Sequence, residues 1–243
     1  MAIQKPGPGR GPLYAQVKEL IVERLVSGYW QPGDILPSEV ALGSEFSVSQ
    51  GTVRKALDVL AAENLVVRHQ GKGTFVATHT PQRELFHFFN LVGNDGSKQL
   101  PDKSSQLSLE RRRGNREECS RLGLPAGSNV ICFIRVRMLV NRPAVYETIT
   151  VPAKTFPGLG QDADLPNNLY QIYEEEFGVT IHRAIEQLRA VTASSTEARY
   201  LKIPAGTPLI EIDRLAETLD KIPVEWRISR CDTRDHHYLS EIV

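Results

Sequence analysis

Apolar side chains recur at helical spacing over Leu13, Val17, Leu20, Ile21 and Leu25, so the pattern predicts an amphipathic helix that stops near Gly28. After the turn Gln31-Pro32-Gly33-Asp34, Ser38 can cap a short helix with Leu42 and Phe46 facing inward, and Ser49 can cap the next. In that third helix Val53, Ala56, Leu57 and Leu60 share one face, while Gly51, Thr52, Arg54 and Lys55 fall on the other. Beyond Asn64 the period drops to two. Leu65 and Val67 alternate, a loop Gln70-Gly71-Lys72-Gly73 follows, and Thr74-Phe75-Val76 resumes as a strand. Three short helices and a basic-tipped hairpin predict a winged helix-turn-helix.

From Gln106 to Val243 the pattern is mixed. Alternating runs at Gln106–Arg112, Asn129–Val140, Ala144–Val151, Thr180–Thr192, Pro208–Leu219 and Val224–Cys231 predict strands, and helices are expected at Asn115–Leu122, Asn168–Phe177 and Ser195–Leu201. The fold class expected is therefore α+β, a winged helix-turn-helix followed by a domain built on an antiparallel sheet. Within that domain Arg121-Leu122-Gly123-Leu124-Pro125-Ala126-Gly127-Ser128 echoes Tyr200-Leu201-Lys202-Ile203-Pro204-Ala205-Gly206-Thr207. Each copy ends a helix and leads into a strand, so the sheet is expected to be pseudo-duplicated, with room for a pocket between its halves.

The division expected is an arm over residues 1–12, a DNA-binding domain over 13–78, a linker over 79–105 and a second domain over 106–243. The arm is rich in Pro and Gly and has nothing to bury. The stretch 79–105 contains Asn94-Asp95-Gly96-Ser97 and few apolar anchors, which suits either a linker or the entry loop of the second domain, and a hinge is expected between Pro81 and Pro101.

Composition changes this picture little. Of 243 residues 41% are hydrophobic and 24% charged, which excludes wholesale disorder, and Lys plus Arg equals Asp plus Glu at 29 each. Charge placement says more than charge total: four of the eight basic residues before position 80 lie between Arg54 and Lys72. Cys119, Cys132 and Cys231 form an odd set without Cys-x-x-Cys spacing, which suits a reducing compartment. The start lacks a signal-peptide core and the run Val130–Ile134 is too short to span a bilayer, so the expectation is a cytoplasmic protein with no membrane partner. No cofactor is expected. The cluster Cys231-Asp232-Thr233-Arg234-Asp235-His236-His237 gathers ligand-type residues, but adjacent histidines on a strand point to opposite faces, so no metal site is expected.

A helix of this kind fits the major groove of double-stranded DNA. Gln50 and Arg54 can reach base edges, Ser38, Ser49 and Thr52 stand at helix starts where phosphate is favoured, and Lys55 adds a cation. Gly51 keeps the helix start slim. At the wing, Gly71 and Gly73 permit a tight turn that carries Lys72 at its tip. On the other reading, Arg54 and Lys55 are ordinary solvated charges on a module that contacts protein.

The segments Leu36-Pro37-Ser38-Glu39, Val48-Ser49-Gln50-Gly51-Thr52-Val53-Arg54-Lys55-Ala56-Leu57 and Gly71-Lys72-Gly73-Thr74-Phe75-Val76 resemble the GntR family of bacterial regulators. The C-terminal half resembles the UTRA effector domain of its HutC subgroup, which shares the chorismate-lyase fold. The resemblance implies a homodimeric transcription factor, most often a repressor, that binds a palindromic operator and responds to a small-molecule effector. Two positions depart from the family pattern: Val40 and Gln50 stand where arginine is common, so base and phosphate contacts should differ there.

In the second domain the resemblance implies an effector pocket formed by Arg135, Arg137, Glu147, Asn168, Tyr170 and Glu225, with Cys231 where an aromatic often stands. Arg135 and Arg137 are two apart on one strand, so both leave the same face, and paired guanidiniums suit an anionic effector. The residues alone equally allow a solvated strand face with Arg135 or Arg137 paired to Glu147, a plain N-cap at Asn168 and an edge-strand charge at Glu225. Two other functions are open: a constitutive DNA-binding dimer without effector, and a chorismate-lyase-like enzyme. No Ser-His-Asp elbow, His-Glu-x-x-His or phosphate loop supports the enzyme.

Overall fold

The computed structural model describes residues 11–78, 89–98, 101–161 and 165–240. The chain divides into two compact units, Met1–Thr78 and His79–Val243. Most of the arm expected over 1–12 lies outside the described residues.

The first unit is helical with a terminal hairpin. Helix α1 (Leu13–Val26) buries Val17 and Ile21 on one stripe. Helix α2 (Glu39–Phe46) starts at Ser38, whose hydroxyl accepts from the Ala41 amide at 3.2 Å, and buries Leu42 and Phe46. Helix α3 (Gln50–Ala62) starts at Ser49, whose hydroxyl accepts from the Thr52 amide at 3.2 Å. Each cap satisfies a backbone donor that the first helical turn leaves open. Val53, Ala56, Leu57 and Leu60 of α3 are all buried, as their spacing requires. Strands β1 (Val66–His69) and β2 (Gly73–Val76) form the antiparallel hairpin. At its tip Gly71 has φ +72° and Gly73 φ +118°, conformations that favour glycine.

The second unit is built on a six-stranded antiparallel sheet with strands β4 (Lys103–Arg113), β5 (Asn129–Leu139), β6 (Arg142–Pro152), β7 (Arg183–Thr192), β8 (Pro208–Glu217) and β9 (Pro223–Asp232). Its spatial order is β4-β5-β6-β9-β8-β7, so two halves of like topology meet along β6 and β9. Helix α4 (Arg116–Arg121) precedes β5, and helix α6 (Ser195–Leu201) precedes β8. Both open with a reciprocal capping box, Asn115 with Glu118 and Ser194 with Glu197. Each copy of the Pro-Ala-Gly echo therefore joins a capped helix to a strand. Helix α5 (Leu169–Phe177) joins the halves, and its Leu169, Tyr170 and Tyr173 pack with Ile131, Phe133, Ile149, Val151, Ala216 and Val224 of the sheet.

Of the two readings of the stretch 79–105, its described part follows entry into the second domain and not a free linker. Strand β3 (Leu91–Gly93) pairs antiparallel with β10 (His236–Tyr238), Phe89 and Leu91 belong to a core cluster with Leu139, Val145 and Cys231, and β4 already begins at Lys103. Three apolar anchors, Phe89, Leu91 and Val92, are enough to fix it because a second short strand near the C-terminus closes over them. Of the expected hinge, Pro81 lies outside the described residues and Pro101 is buried. None of the described helices is long and apolar enough to cross a membrane.

Candidate functional site

In the first unit Gln50, Arg54 and Lys55 of α3 and Lys72 at the hairpin tip are exposed, and Gln50 and Arg54 are tied to a partner the sequence did not suggest. Glu39 Oε2 accepts from Gln50 Nε2 at 3.1 Å and from Arg54 Nε and Nη2 at 3.0 and 2.8 Å. Arg68 on β1 donates from Nη2 to the Arg54 carbonyl at 3.2 Å, and the same nitrogen lies 3.0 Å from Asp58 Oδ1. The Ser49 and Thr52 hydroxyls are 2.9 Å apart, and Lys55 Nζ sits 4.3 Å from the centre of the Tyr14 ring. The hydrogen bond from Arg54 holds the Glu39 carboxyl below its ordinary range against the opposing effect of burial.

Gly51 is informative by what surrounds it. A Cβ there would meet only Ser49 Oγ at 3.9 Å, an ordinary contact, and its φ is not positive. The fold itself does not require glycine at this helix start, which leaves close approach by an outside molecule as a reason for it.

In the second unit one face of the sheet is apolar toward α5 and charged beyond it. On β5, Ile131 and Phe133 join the apolar cluster, and the next residues on that face are Arg135 and Arg137, both 2% exposed. Arg135 stands opposite Glu147 on β6, and Glu147 opposite Ser229 on β9. Arg135 Nε donates to Glu147 Oε2 at 2.7 Å, Ser229 Oγ donates to Glu147 Oε1 at 3.1 Å, and Arg135 Nη1 donates to the carbonyls of Pro166 and Asn167 at 3.0 and 3.2 Å. Arg135 Nη2 is buried without a hydrogen-bond partner among the described residues. Arg137 approaches Glu147 at 3.8 Å and lies 5.1 Å from the Phe89 ring centre.

A second carboxylate completes the cluster. Glu225, fully buried, receives Arg227 as a two-pronged fork at 3.0 and 2.9 Å and the hydroxyls of Tyr170 and Tyr173 at 3.2 and 2.9 Å. Arg227 also lies 3.6 Å from Glu147. Beside it Arg214 donates from Nε to Glu186 at 2.6 Å, and Glu186 accepts from Tyr238 and, at 3.3 Å, from Asn90. Burial would raise the Glu147 carboxyl, but Arg135, Arg227 and Arg137 together outweigh it and hold Glu147 well below the usual carboxylate range. Burial pushes the Cys231 thiol far up and, with Glu186, the Tyr238 hydroxyl to about 12.

Arg135, Arg137, Glu147, Tyr170 and Glu225 are thus brought together, and Cys231 shares their sheet face in the row of Arg137 and Val145. Asn168 is half-buried and caps α5, accepting from the Gln171 amide at 3.2 Å. The alternative of a solvated strand face is overturned, because Arg135 and Arg137 are buried, Arg135 against the loop before α5 and Arg137 beside Phe89, although the pairing with Glu147 that it included is present. Glu225 is no edge charge, since β9 lies between β6 and β8.

Arg214, Arg227, Ser229 and Glu186 were not foreseen. Period two from Glu225 through Arg227 and Ser229 to Cys231 placed them on one face. The echo also carried a signal: seven residues beyond Ser128 stands Arg135, and seven beyond Thr207 stands Arg214. The two guanidiniums are equivalent by the pseudo-symmetry, yet opposite Arg214 the outer strand has Glu186, whereas opposite Arg135 it has the neutral Gln106.

Comparison with known proteins falls along the same division. Residues 13–76 match the model of bacterial regulatory proteins of the gntR family, and residues 102–237 match the UTRA domain. The histidine utilization repressor of Klebsiella aerogenes is 30% identical over 217 residues, 88% of either chain. The HTH-type transcriptional repressor NagR of Bacillus subtilis is 28% identical over 214 residues, 88% of this chain and 87% of that one. Among solved structures, the ligand-binding domain assigned to a GntR-family regulator of Bordetella bronchiseptica superposes with TM-score 0.60 at 31% identity, covering 65% of this chain and 98% of that one. PhnF from Mycobacterium smegmatis, at 22% identity and TM-score 0.56, covers 93% of this chain and 99% of that one and shares the fold.

Proposed function

The chain belongs to the bacterial GntR family and carries its UTRA domain, a DNA-binding transcriptional regulator and not an enzyme, and we propose that the effector it answers to is a small anion held at Arg135. The observation that carries this reading is the Arg135 Nη2, buried and without a hydrogen-bond partner among the described residues. A buried guanidinium donor left unmatched costs about 1–3 kcal/mol, and more where the group is charged, so an anion that reached it would be bound strongly. Among the described residues the surrounding charge agrees: Arg135, Arg137, Arg214 and Arg227 outnumber Glu147, Glu186 and Glu225. Where Glu186 satisfies Arg214, Gln106 leaves Arg135 without an equivalent carboxylate.

Arg137, Glu147, Tyr170 and Glu225 would line the same site, with Asn168 at its helix edge and Cys231 beneath Arg137. On the DNA side Gln50 and Arg54 would read base edges. Ser38, Ser49, Thr52, Lys55 and Lys72 would meet phosphates, with Gly51, Gly71 and Gly73 allowing close approach. One recognition helix spans one half-site, so the working form is a cytoplasmic homodimer on a palindromic operator, with half-sites about 34 Å apart. Effector and operator then alter one another's affinity by the same factor.

The test is thermal stabilisation of the purified protein by panels of sugar phosphates, amino acids and organic acids. A ligand at 100 times its dissociation constant adds about 2.7 kcal/mol. Arg135→Lys keeps the charge but not the fork. A stabilising anion whose effect is lost in that variant supports the site. No stabilisation by any anion, or an undiminished effect in Arg135→Lys, would point instead to a constitutive DNA-binding dimer or to a different site.

A further inference from the structure

Glu39 is the first residue of α2 and stands at no position expected to touch DNA. Its carboxylate nevertheless joins the elements that build the DNA face: Oε2 takes Gln50 and Arg54 of α3, and Oε1 lies 3.5 Å from Arg68 Nη2 on β1. Asp58 holds the same Arg68 nitrogen at 3.0 Å. Two arginines on this face are thus matched by two carboxylates, although the Arg54 side chain remains 56% exposed.

An unrestrained guanidinium is a poor discriminator. It can swing to whichever phosphate is near, and phosphate contacts carry no sequence information. Reading a guanine needs the guanidinium plane aligned with two acceptors on the base edge. A carboxylate that grips Arg54 through Nε and Nη2 fixes that plane before DNA arrives, and its negative charge penalises a merely electrostatic approach. The same oxygen fixes the amide of Gln50 one turn earlier in the helix.

We propose that Glu39 is a specificity-determining positioning residue: it orients Gln50 and Arg54 for base reading and withholds Arg54 and Arg68 from phosphates. This rests on the reading of Arg54 as a base contact, and the test separates the two. A duplex enriched from a random library by the wild-type full-length chain and a scrambled duplex of equal length are titrated over a range of salt with wild type, Glu39→Gln, Glu39→Asp and Arg54→Ala.

Glu39→Gln is expected to bind the scrambled duplex more tightly, to lose about tenfold in its preference for the selected duplex, and to steepen the dependence of log K on log salt by about one, the signature of one more phosphate contact. Glu39→Asp, which keeps the charge and shortens the reach, should lose preference with the wild-type salt slope. If Glu39→Gln keeps both preference and slope, or weakens both duplexes equally, Glu39 is only a brace between helices and the proposal falls. An unchanged preference in Arg54→Ala would remove the base-contact reading and the proposal with it.

Discussion

In the first unit Glu39, Arg54 and Arg68 meet with side chains 20%, 56% and 37% exposed, whereas in the second Arg135, Glu147 and Arg227 meet at 2%, 3% and 3%. The partners are chemically the same and the consequences differ. Water screens the outer network, so its pairs add little to stability and can be exchanged for contacts to DNA at little cost. The inner network was dehydrated when the protein folded, so every charge in it must keep a partner. A surface that reads DNA benefits from exchangeable pairs; a pocket that selects one anion benefits from fixed ones, prepared before the ligand arrives.

Removing one partner should therefore separate the two regions sharply. Glu147→Gln removes the carboxylate that pairs with Arg135, while Arg227 keeps its fork to Glu225, and should destabilise the second unit by about 3–5 kcal/mol in denaturant unfolding. A loss under about 1 kcal/mol would mean the cluster is wetter than its burial shows. Acid should act on the same groups. Glu147 and Glu186 both have carboxyls held below their ordinary range, so their stabilisation is present above the unfolded value near 4.3 and is lost as pH falls through the folded values. Unfolding free energy should decline as pH drops below about 4–5, and less steeply in Glu147→Gln than in wild type.

The outer region should respond in binding and not in stability. Arg54→Ala should leave the melting temperature nearly unchanged while lowering affinity for the selected duplex roughly tenfold to a hundredfold. A smaller and more uniform effect is expected at the wing. Lys72→Ala should weaken selected and scrambled duplexes alike and make the salt dependence shallower by about one. A change confined to the selected duplex would make Lys72 a base reader instead.

The same contrast governs what was legible in the sequence. Local pattern sufficed for the helices with Ser38, Ser49, Asn168 and Ser194 at their starts, and for six long strands whose alternation is fixed by burial of one face. The echo around Pro125 and Pro204 foretold a sheet of two like halves. Two kinds of feature were out of reach. Strands β3 and β10 are three residues each and stand far apart in the chain, so neither has a period to read, and the choice between a linker and an entry loop of the second domain stayed open there. The grouping of Arg227, Arg214 and Glu186 with Glu147 depends on the register between β6, β9, β8 and β7, which no single segment encodes. Glu39 was missed for a related reason: nothing in Pro37-Ser38-Glu39 announces that α3 passes within hydrogen-bonding distance.

The most direct measurement is binding of the selected duplex, followed by fluorescence anisotropy, while sugar phosphates, amino acids and organic acids are titrated in turn onto wild type and Arg135→Lys. The prediction is that at least one anion shifts duplex affinity in wild type, and that Arg135→Lys binds the duplex as wild type does but no longer responds. Duplex affinity indifferent to every anion, or an equal shift in the variant, would contradict an effector site at Arg135.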